Sequence, residues 1–380
     1  MFQRLLQLPL EGRESCFLFG PRGTGKTTWI KEHLGDSCYI DLLDQSVFFD
    51  LHADPHRLTY YFPKDQKSWI IIDEIQKIPA LLNEVHRAIE NDGRRFILTG
   101  SSARSLRKHG VNLLAGRALE YTMHPLTAIE LGKTFDWKQA LQFGQLPKVK
   151  ALVNPKKYLK SYVNTYLREE VVQEGLTRNV QAFHRFLETA SFSHGQMINM
   201  SSIAREIGVS SDTIASYFEI LEDLLIARRI PVFDKRAKRE LSRHVKFYYF
   251  DAGVYQTLRP RGPLDSQREI NGAALEGLFL QELIAINAYL EKEYTFYFWR
   301  TRSQIEVDFV AYGPGGLLAF EIKSREFVDR KDLNGLKAFQ KDYPMAQCYL
   351  LYLGEHRKQI DDIQLLPMQD ALLSLDKILL

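Results

Sequence analysis

Short apolar runs alternate with amphipathic stretches through the first third of this 380-residue chain. Cys16–Phe19, Cys38–Leu42, Trp69–Ile72, Arg95–Ser101 and Ala118–Met123 read as strands, the first and third of them apolar enough to be buried, and the fourth ending in small polar groups. Thr28–His33 and, after Pro79, Leu81–Glu90 read as helices between them. Alternation of this kind predicts a parallel sheet with helices on both faces over residues 1–124. From Pro125 to Glu188 the pattern turns helical and more polar, as in a lid over a binding site.

The period changes again after residue 188. Ser202–Ile207 is a short helix, Gly208 begins a turn, and Asp212–Leu225 is a longer helix with Ile214, Phe218, Leu221 and Leu225 on one face. Two helices joined by a tight glycine turn make a helix-turn-helix. Ile226–Phe233 and Val245–Phe250 then read as the strands of a wing, closing a segment at 189–255. The last segment, 265–380, begins with a helix, Ala273–Leu290. Strands follow at Tyr294–Trp299, Gln304–Tyr312 and Leu317–Ile322, with a Gly-Pro-Gly-Gly turn at 313–316. A helix at Lys331–Lys341 and a strand at Cys348–Leu353 complete it. The fold class is therefore α/β, in four segments.

Residues Gly20, Pro21, Arg22, Gly23, Thr24, Gly25, Lys26 and Thr27 fit the phosphate-loop pattern G-x-x-x-x-G-K-[ST]. They stand between a buried strand and a helix start. Backbone N–H groups and the positive end of the helix dipole converge there, and an anion is well held. Gly23 and Gly25 let the backbone approach phosphate, Lys26 reaches the β- and γ-phosphates, and the Thr27 hydroxyl suits Mg²⁺. Thr28 extends the cradle into the helix. Asp73 and Glu74 end the strand that starts at Trp69, where α/β sheets place their ligands. Asp73 suits Mg²⁺ through water and Glu74 the base that orients the attacking water. Thr99 or Ser101 could meet the γ-phosphate or that water, while Ser101 or Ser102 could instead cap the next helix. Arg117 suits an arginine finger toward a neighbouring subunit, or a surface ion pair. Arg168 is either a nucleotide contact from the lid or a solvated helix charge.

Charge adds one local signal. The net charge of +3 names no partner. Between Arg228 and Lys246, however, Arg228, Arg229, Lys235, Arg236, Lys238, Arg239, Arg243 and Lys246 face only Asp234 and Glu240. A basic wing beside a helix-turn-helix suits DNA phosphates. The recognition helix carries Asp212, Thr213, Ser216 and Glu219, which favours backbone contact over base reading. The bland reading is a spacer or subunit contact with a solvated hairpin.

The last segment holds a second set of chemical groups. Glu321 and Lys323 alternate with Phe320 and Ile322, so the charged pair shares one face of its strand. Asp308 on the adjacent antiparallel strand comes beside them. Two carboxylates then suit Mg²⁺, and Lys323 suits a water or a developing charge at a phosphodiester. Glu276 could complete the shell from its helix, and Glu306 is a reserve ligand. The alternatives are an ion pair on an exposed strand, or a nuclease-like fold kept as a binding module.

With these residues in place, the chain resembles the AAA+ ATPases of bacteria and archaea whose C-terminal region joins a winged helix to a restriction-endonuclease-like domain. The marks are the phosphate loop, Ile71–Pro79, Leu98–Ser102, Leu114–Arg117, Phe250–Gly253, Phe298–Thr301, Glu306–Phe309 and Glu321–Lys323, which span nearly the whole sequence. The resemblance implies a P-loop AAA+ core, helical lid, winged helix and α/β restriction-endonuclease-like domain. It implies ATP and Mg²⁺ at Gly20–Thr28, Asp73 and Glu74, and a PD-(D/E)xK quartet at Glu276, Asp308, Glu321 and Lys323. Gln340 and Tyr343 are one residue too close for the Gln-x-x-x-Tyr motif of some nucleases of this fold.

The remaining composition excludes other classes. Cys16, Cys38 and Cys348 form no metal or disulfide pattern, which fits a reducing cytoplasm. No apolar run approaches a membrane span, and the first residues lack a secretory segment. The expectation is an ATP-hydrolysing engine that remodels or translocates duplex or branched DNA in repair or recombination. It would assemble as a homo-oligomeric ring, read as a hexamer. Two other readings stand beside it: an ATP-dependent oligomeric switch in regulation or defence, whose C-terminal domains dock proteins, and a metal-dependent nuclease licensed by ATP.

Overall fold

A computed structural model describes residues 2–65, 68–102, 106, 114, 116–166, 179–234 and 245–379. They form two compact units: Leu6–His124 with Asp223–Leu225, and Met1–Leu5 with Pro125–Glu222 and Ile226–Leu380.

The first unit is built on five parallel strands. These are β1 (Ser15–Phe19), β2 (Cys38–Asp41), β3 (Trp69–Asp73), β4 (Arg95–Gly100) and β5 (Ala118–Thr122), in spatial order β2-β3-β4-β1-β5. Every residue of β1 and β3 is buried, as their unbroken apolar runs require. Phe17, Phe19, Ile70, Ile72, Phe96 and Leu98 fill one core with Leu81, Leu82 and Val85 of the helix Leu81–Asp92. The connection from β3 to β4 is that helix. The one from β1 to β2 is the helix Lys26–His33, which starts two residues before the sequence reading. The carboxyl ends of β1, β3 and β4 gather at one edge, the edge that carries the chemistry in open α/β sheets.

In the second unit, a helix Met200–Ile207, a turn at Gly208 and a helix Ser211–Asp223 precede an antiparallel hairpin of β6 (Ala227–Pro231) and β7 (Val245–Tyr249). Both elements occur where the spacing places them. The candidate wing residues Lys235, Arg236, Lys238, Arg239, Glu240 and Arg243 lie outside the described residues, as does Arg168. A six-stranded sheet follows, in order β12-β13-β11-β10-β9-β8. Its strands are β8 (Thr295–Arg300), β9 (Glu306–Gly313), β10 (Gly316–Lys323), β11 (Gln347–Tyr352), β12 (Lys358–Ile360) and β13 (Ile363–Pro367). β12 and β13 extend the sheet beyond the four strands read from the sequence. The helices Gln267–Tyr289 and Asn334–Asp342 cover it: Leu278, Phe279 and Leu283 pack with Phe309 and Phe320, and Leu336 and Phe339 pack with Val307 and Val310.

The segment read as a lid is built into this same unit. Leu126, Ala128, Leu131, Phe135 and Ala140 share a core with Leu275–Leu283 of the long helix. Gly253 lies so close to the Phe143 backbone that a Cβ there would sit 2.2 Å from the Phe143 carbonyl oxygen. That approach gives a structural use to one of the quoted marks, Phe250–Gly253.

β9 breaks the two-residue period. Tyr297 pairs with Val310 and Trp299 with Val307, so one extra residue sits in β9 between those pairs. Val307 and Val310 therefore enter one core while Phe309 and Ala311 enter the other. Asp308 lies within the bulge.

Candidate functional site

The first cluster forms where β1 turns into its helix. Gly20 (φ 155°) passes the β5 end so closely that a Cβ would meet the Met123 carbonyl oxygen at 2.4 Å. Gly23 and Gly25 take positive φ of 85° and 101°, and Gly25 caps the helix. Pro21 and Thr24 are buried; the Thr24 N–H and hydroxyl both donate to the Pro21 carbonyl, at 3.4 and 2.9 Å. Arg22 is half-buried, and Thr28 is exposed on the first helical turn. The buried Lys26 ammonium donates to the Gly20 carbonyl at 2.6 Å, holding its charge inside the loop.

Asp73 is the hub. Thr27 Oγ1 donates to Asp73 Oδ2 at 3.1 Å, and the Tyr39 hydroxyl donates to the same oxygen. Thr99 Oγ1 donates to Asp73 Oδ1 and accepts from the Glu74 N–H at 3.2 Å. The fully buried Thr99 thus points at the acid pair, holding it from the neighbouring strand. Burial first, then the bond to Asp73, raises the Tyr39 phenol above its ordinary range, which keeps it a donor. Glu74 takes a left-handed backbone (φ 62°), a strained conformation for a glutamate. Its carboxylate accepts from the Gln76 side-chain amide, which also reaches Ser101 Oγ at 3.3 Å. Tyr39 and Gln76 are missing from the sequence reading. Tyr39 sits in a second strand whose pattern gives no motif, and Gln76 was only a letter after Asp-Glu. Arg117 pairs with Glu90 within its own chain.

The donor set suits a magnesium nucleotide. Thr27 and Asp73 offer a hydroxyl and a carboxylate 3.1 Å apart, both hard oxygen ligands. The Lys26 charge lies beside the glycine backbone at a helix N-terminus.

The second cluster lies at the ends of β9 and β10. Asp308 Oδ2 accepts from the Ile322 N–H at 2.8 Å, so the bulge aims this carboxylate at the adjacent strand. Lys323 Nζ donates to Glu321 Oε1 at 2.5 Å, while Glu321 Oε2 is buried with no partner. Phe320 and Ile322 do fill a core, as the alternation predicts. Burial, then the Asp308 charge, pushes both Glu276 and Glu321 up to about 8. Asp308 is raised by burial too. The sequence reading placed a second cation of this cluster, Lys246, in the wing. Lys246, on β7, is buried; it pairs with Glu306 and stands 4.0 Å from Asp308. Burial lowers its pKa, but Asp308, Glu276 and Glu306 more than offset this and leave it raised.

Two carboxylates, Asp308 and Glu321 with its orphaned oxygen, fit a magnesium ion that keeps several waters. Glu276 instead accepts from the Tyr248 hydroxyl at 3.1 Å. Among the described residues, no three His, Cys, Asp or Glu side chains converge as one metal shell.

The inward turn of Lys246 recurs along the hairpin. Arg229 pairs with Glu222, and burial lowers the Arg228 pKa. Of the described cations of the candidate wing, Arg229 and Lys246 are thus paired with acids of the fold.

Comparison with known proteins follows the same division. Residues 12–132 match an AAA domain family, residues 134–265 a domain of unknown function (DUF8612), and residues 271–371 another (DUF4143). An uncharacterized protein of Mycobacterium tuberculosis is 28% identical over 370 residues, covering 94% of this chain and 80% of the relative. An uncharacterized protein of Methanocaldococcus jannaschii is 23% identical, covering 82% and 75%. Among solved structures, the Aeropyrum pernix ORC1 protein in complex with DNA aligns with 64% of this chain and 86% of its own, at 12% identity and a TM-score of 0.28. Among the described residues no helix is long and apolar enough to cross a membrane. The segment that carries the phosphate loop is thus similar to the ATPase domains of the AAA family.

Proposed function

We propose that the chain hydrolyses ATP at Lys26, Thr27, Asp73 and Glu74 and uses the cycle to act on DNA through its second unit. The observation that carries the ATPase reading is the convergence of Thr27, Tyr39 and Thr99 on Asp73, with Glu74 fixed beside it. Lys26 would leave the Gly20 carbonyl for the β- and γ-phosphates, so its own loop holds the ammonium ready. Thr27, with Asp73 through water, would hold magnesium, whose chemistry there is to neutralise charge on the phosphate oxygens. Glu74 orients the attacking water. Thr99 keeps both acids in register with β4. Arg117 would act on the nucleotide of a neighbouring subunit, in a homo-oligomeric ring read as a hexamer, after leaving Glu90.

The DNA part of the reading is supported by a helix-turn-helix with a hairpin, read as a winged helix, joined to a nuclease-like order of helix and strands. Asp308, Glu321 and Lys323 would serve cleavage or backbone grip, with Asp308 and Glu321 as the metal carboxylates. A second reading, an ATP-dependent switch whose second unit docks proteins, is favoured by one observation: Lys246 and Arg229 spend their charges on internal acids.

The deciding experiment measures ATP hydrolysis and DNA binding on the full chain, with single-stranded, duplex, forked and four-way DNA at two salt concentrations. Lys26→Ala should abolish hydrolysis, and Glu74→Gln should retain nucleotide but turn over slowly. ATP turnover that survives Lys26→Ala would overturn the ATPase reading. Hydrolysis without binding of any DNA at low salt would leave the switch.

A further inference from the structure

A cleft of about 380 Å³ opens in the second unit beside the helix Pro155–Ser161 and the turn after the helix Ala252–Leu258. Lys156, Lys160, Arg259 and Arg261 all line it, and its lining contains no acid. The volume falls within the range of ligand-binding clefts. None of these residues belongs to either cluster above.

The four cations add their fields in one cleft. Lys156 and Lys160 are four residues apart on one helix, so they share a face. The Arg259 guanidinium lies 3.7 Å over the Phe192 ring, donates to the Pro260 carbonyl at 2.8 Å and pairs with Asp265 at 2.9 Å. Arg261 is steadied by the Gln256 carbonyl at 3.3 Å. Among the described residues, that Asp265 contact is the one ion pair these four cations make. A concave wall with an excess of positive charge focuses its field outward and draws anions. Two guanidinium groups fixed by stacking and backbone bonds suit phosphate oxygens, and two lysines add mobile point charges.

We propose that this cleft holds consecutive phosphate groups of a nucleic-acid backbone. Four cations around one cleft exceed what a single phosphate would engage and suit successive phosphates of a phosphodiester chain. The identity of the occupant rests on the DNA reading above; the cleft itself does not.

The test is fluorescence anisotropy of a labelled 20-base-pair duplex and its single strand, on the full chain, across a salt series. The variants are Lys156→Gln with Lys160→Gln, Arg261→Gln, and a control with the exposed Lys331→Gln and Lys358→Gln. Each lost phosphate contact lowers the salt slope by about 0.9, so the first double variant should lower it by about 2 and weaken binding about tenfold at low salt. The control should bind like the parent chain. ATP hydrolysis without DNA should stay unchanged in all of them, which certifies folding. Equal losses in the cleft variants and the control would overturn the site. Binding unchanged in the cleft variants would also overturn it, while leaving the DNA reading intact. No binding of any nucleic acid by the parent chain would overturn the occupant together with the DNA reading. A fluorescent ATP analogue bound by a Lys26→Ala chain, and released by the cleft variants while DNA is unaffected, would make the occupant a mononucleotide and overturn the proposal.

Discussion

Gln76 donates its side-chain amide to the Glu74 carboxylate and spans to Ser101, just past the end of β4. Gly100 leaves room for it: a Cβ there would stand 2.5 Å from Gln76 Oε1. That oxygen is buried without a hydrogen-bond partner, so the amide is held by its NH₂ end alone. Gln76 is therefore a positioning residue for Glu74. Gln76→Ala should lower kcat by roughly tenfold through misplacement of the base. Glu74→Gln should cost about a hundredfold or more, because the proposed base itself is lost. Nucleotide affinity and thermal stability should stay close to the parent values in Gln76→Ala. A weaker nucleotide affinity with unchanged kcat would show that Gln76 serves binding rather than the base.

Tyr39 and Thr27 share one oxygen of Asp73. Removing the phenol leaves that oxygen with a single donor and loosens the carboxylate. Tyr39→Phe should weaken Mg²⁺ activation of hydrolysis by roughly tenfold, the lower end for an outer hydrogen bond to a metal-binding acid. A Mg²⁺ titration of the ATPase rate measures it. An unchanged midpoint would mean that Thr27 and Thr99 fix Asp73 by themselves.

The sheet that carries these residues was legible because a strand buried on both faces must read as an apolar run, and Cys16–Phe19 of β1 and Trp69–Ile72 of β3 do. The phosphate loop was legible because its glycines and lysine answer a local geometric demand. Tyr39 and Gln76 were not, since Tyr39 acts through a partner on the adjacent strand and Gln76 through a turn whose φ no pattern encodes. Lys246 is the sharpest case. In sequence it counts as one more cation in a basic hairpin. The β9 bulge and the docking of β7 decide instead that its charge lies among Asp308, Glu276 and Glu306. Bulges insert a residue without changing composition, so hydrophobic alternation cannot announce them.

Glu282 binds the backbone of the segment read as a lid: it accepts from the Ala128 N–H at 2.9 and 3.0 Å. Its carboxyl is wholly buried, and burial pushes it up to about 8 from an ordinary 4.5. The folded state then holds a proton that the unfolded state releases between those values. Stability contributed by Glu282 is full below the unfolded value and is lost as pH rises toward 8. Glu276 and Glu321 act in the same direction. The melting temperature of the second unit should fall between mildly acidic and mildly alkaline pH. Glu282→Gln keeps an acceptor for Ala128 and removes the titration, so it should flatten that slope. A slope identical to the parent chain would mean that Glu282 is already ionised in the folded state.

Lys246 adds a charge among acids at the start of β9 and in the middle of the long helix. Its ammonium pairs with Glu306, stands 4.0 Å from Asp308 and is raised by both and by Glu276. Lys246→Met keeps the apolar stem and removes the charge, leaving Glu306 to Arg300 and Asp308 to Lys323. Breaking a buried pair in this way costs about 3–5 kcal/mol, which urea unfolding of the full chain would register. The acids left behind should then gain affinity for a divalent ion. Millimolar Mg²⁺ should raise the melting temperature of Lys246→Met more than that of the parent chain, and Asp308→Asn in the same background should remove the difference. Equal Mg²⁺ effects in Lys246→Met and the parent would show that the lysine pairs with Glu306 alone and leaves the Asp308 site untouched.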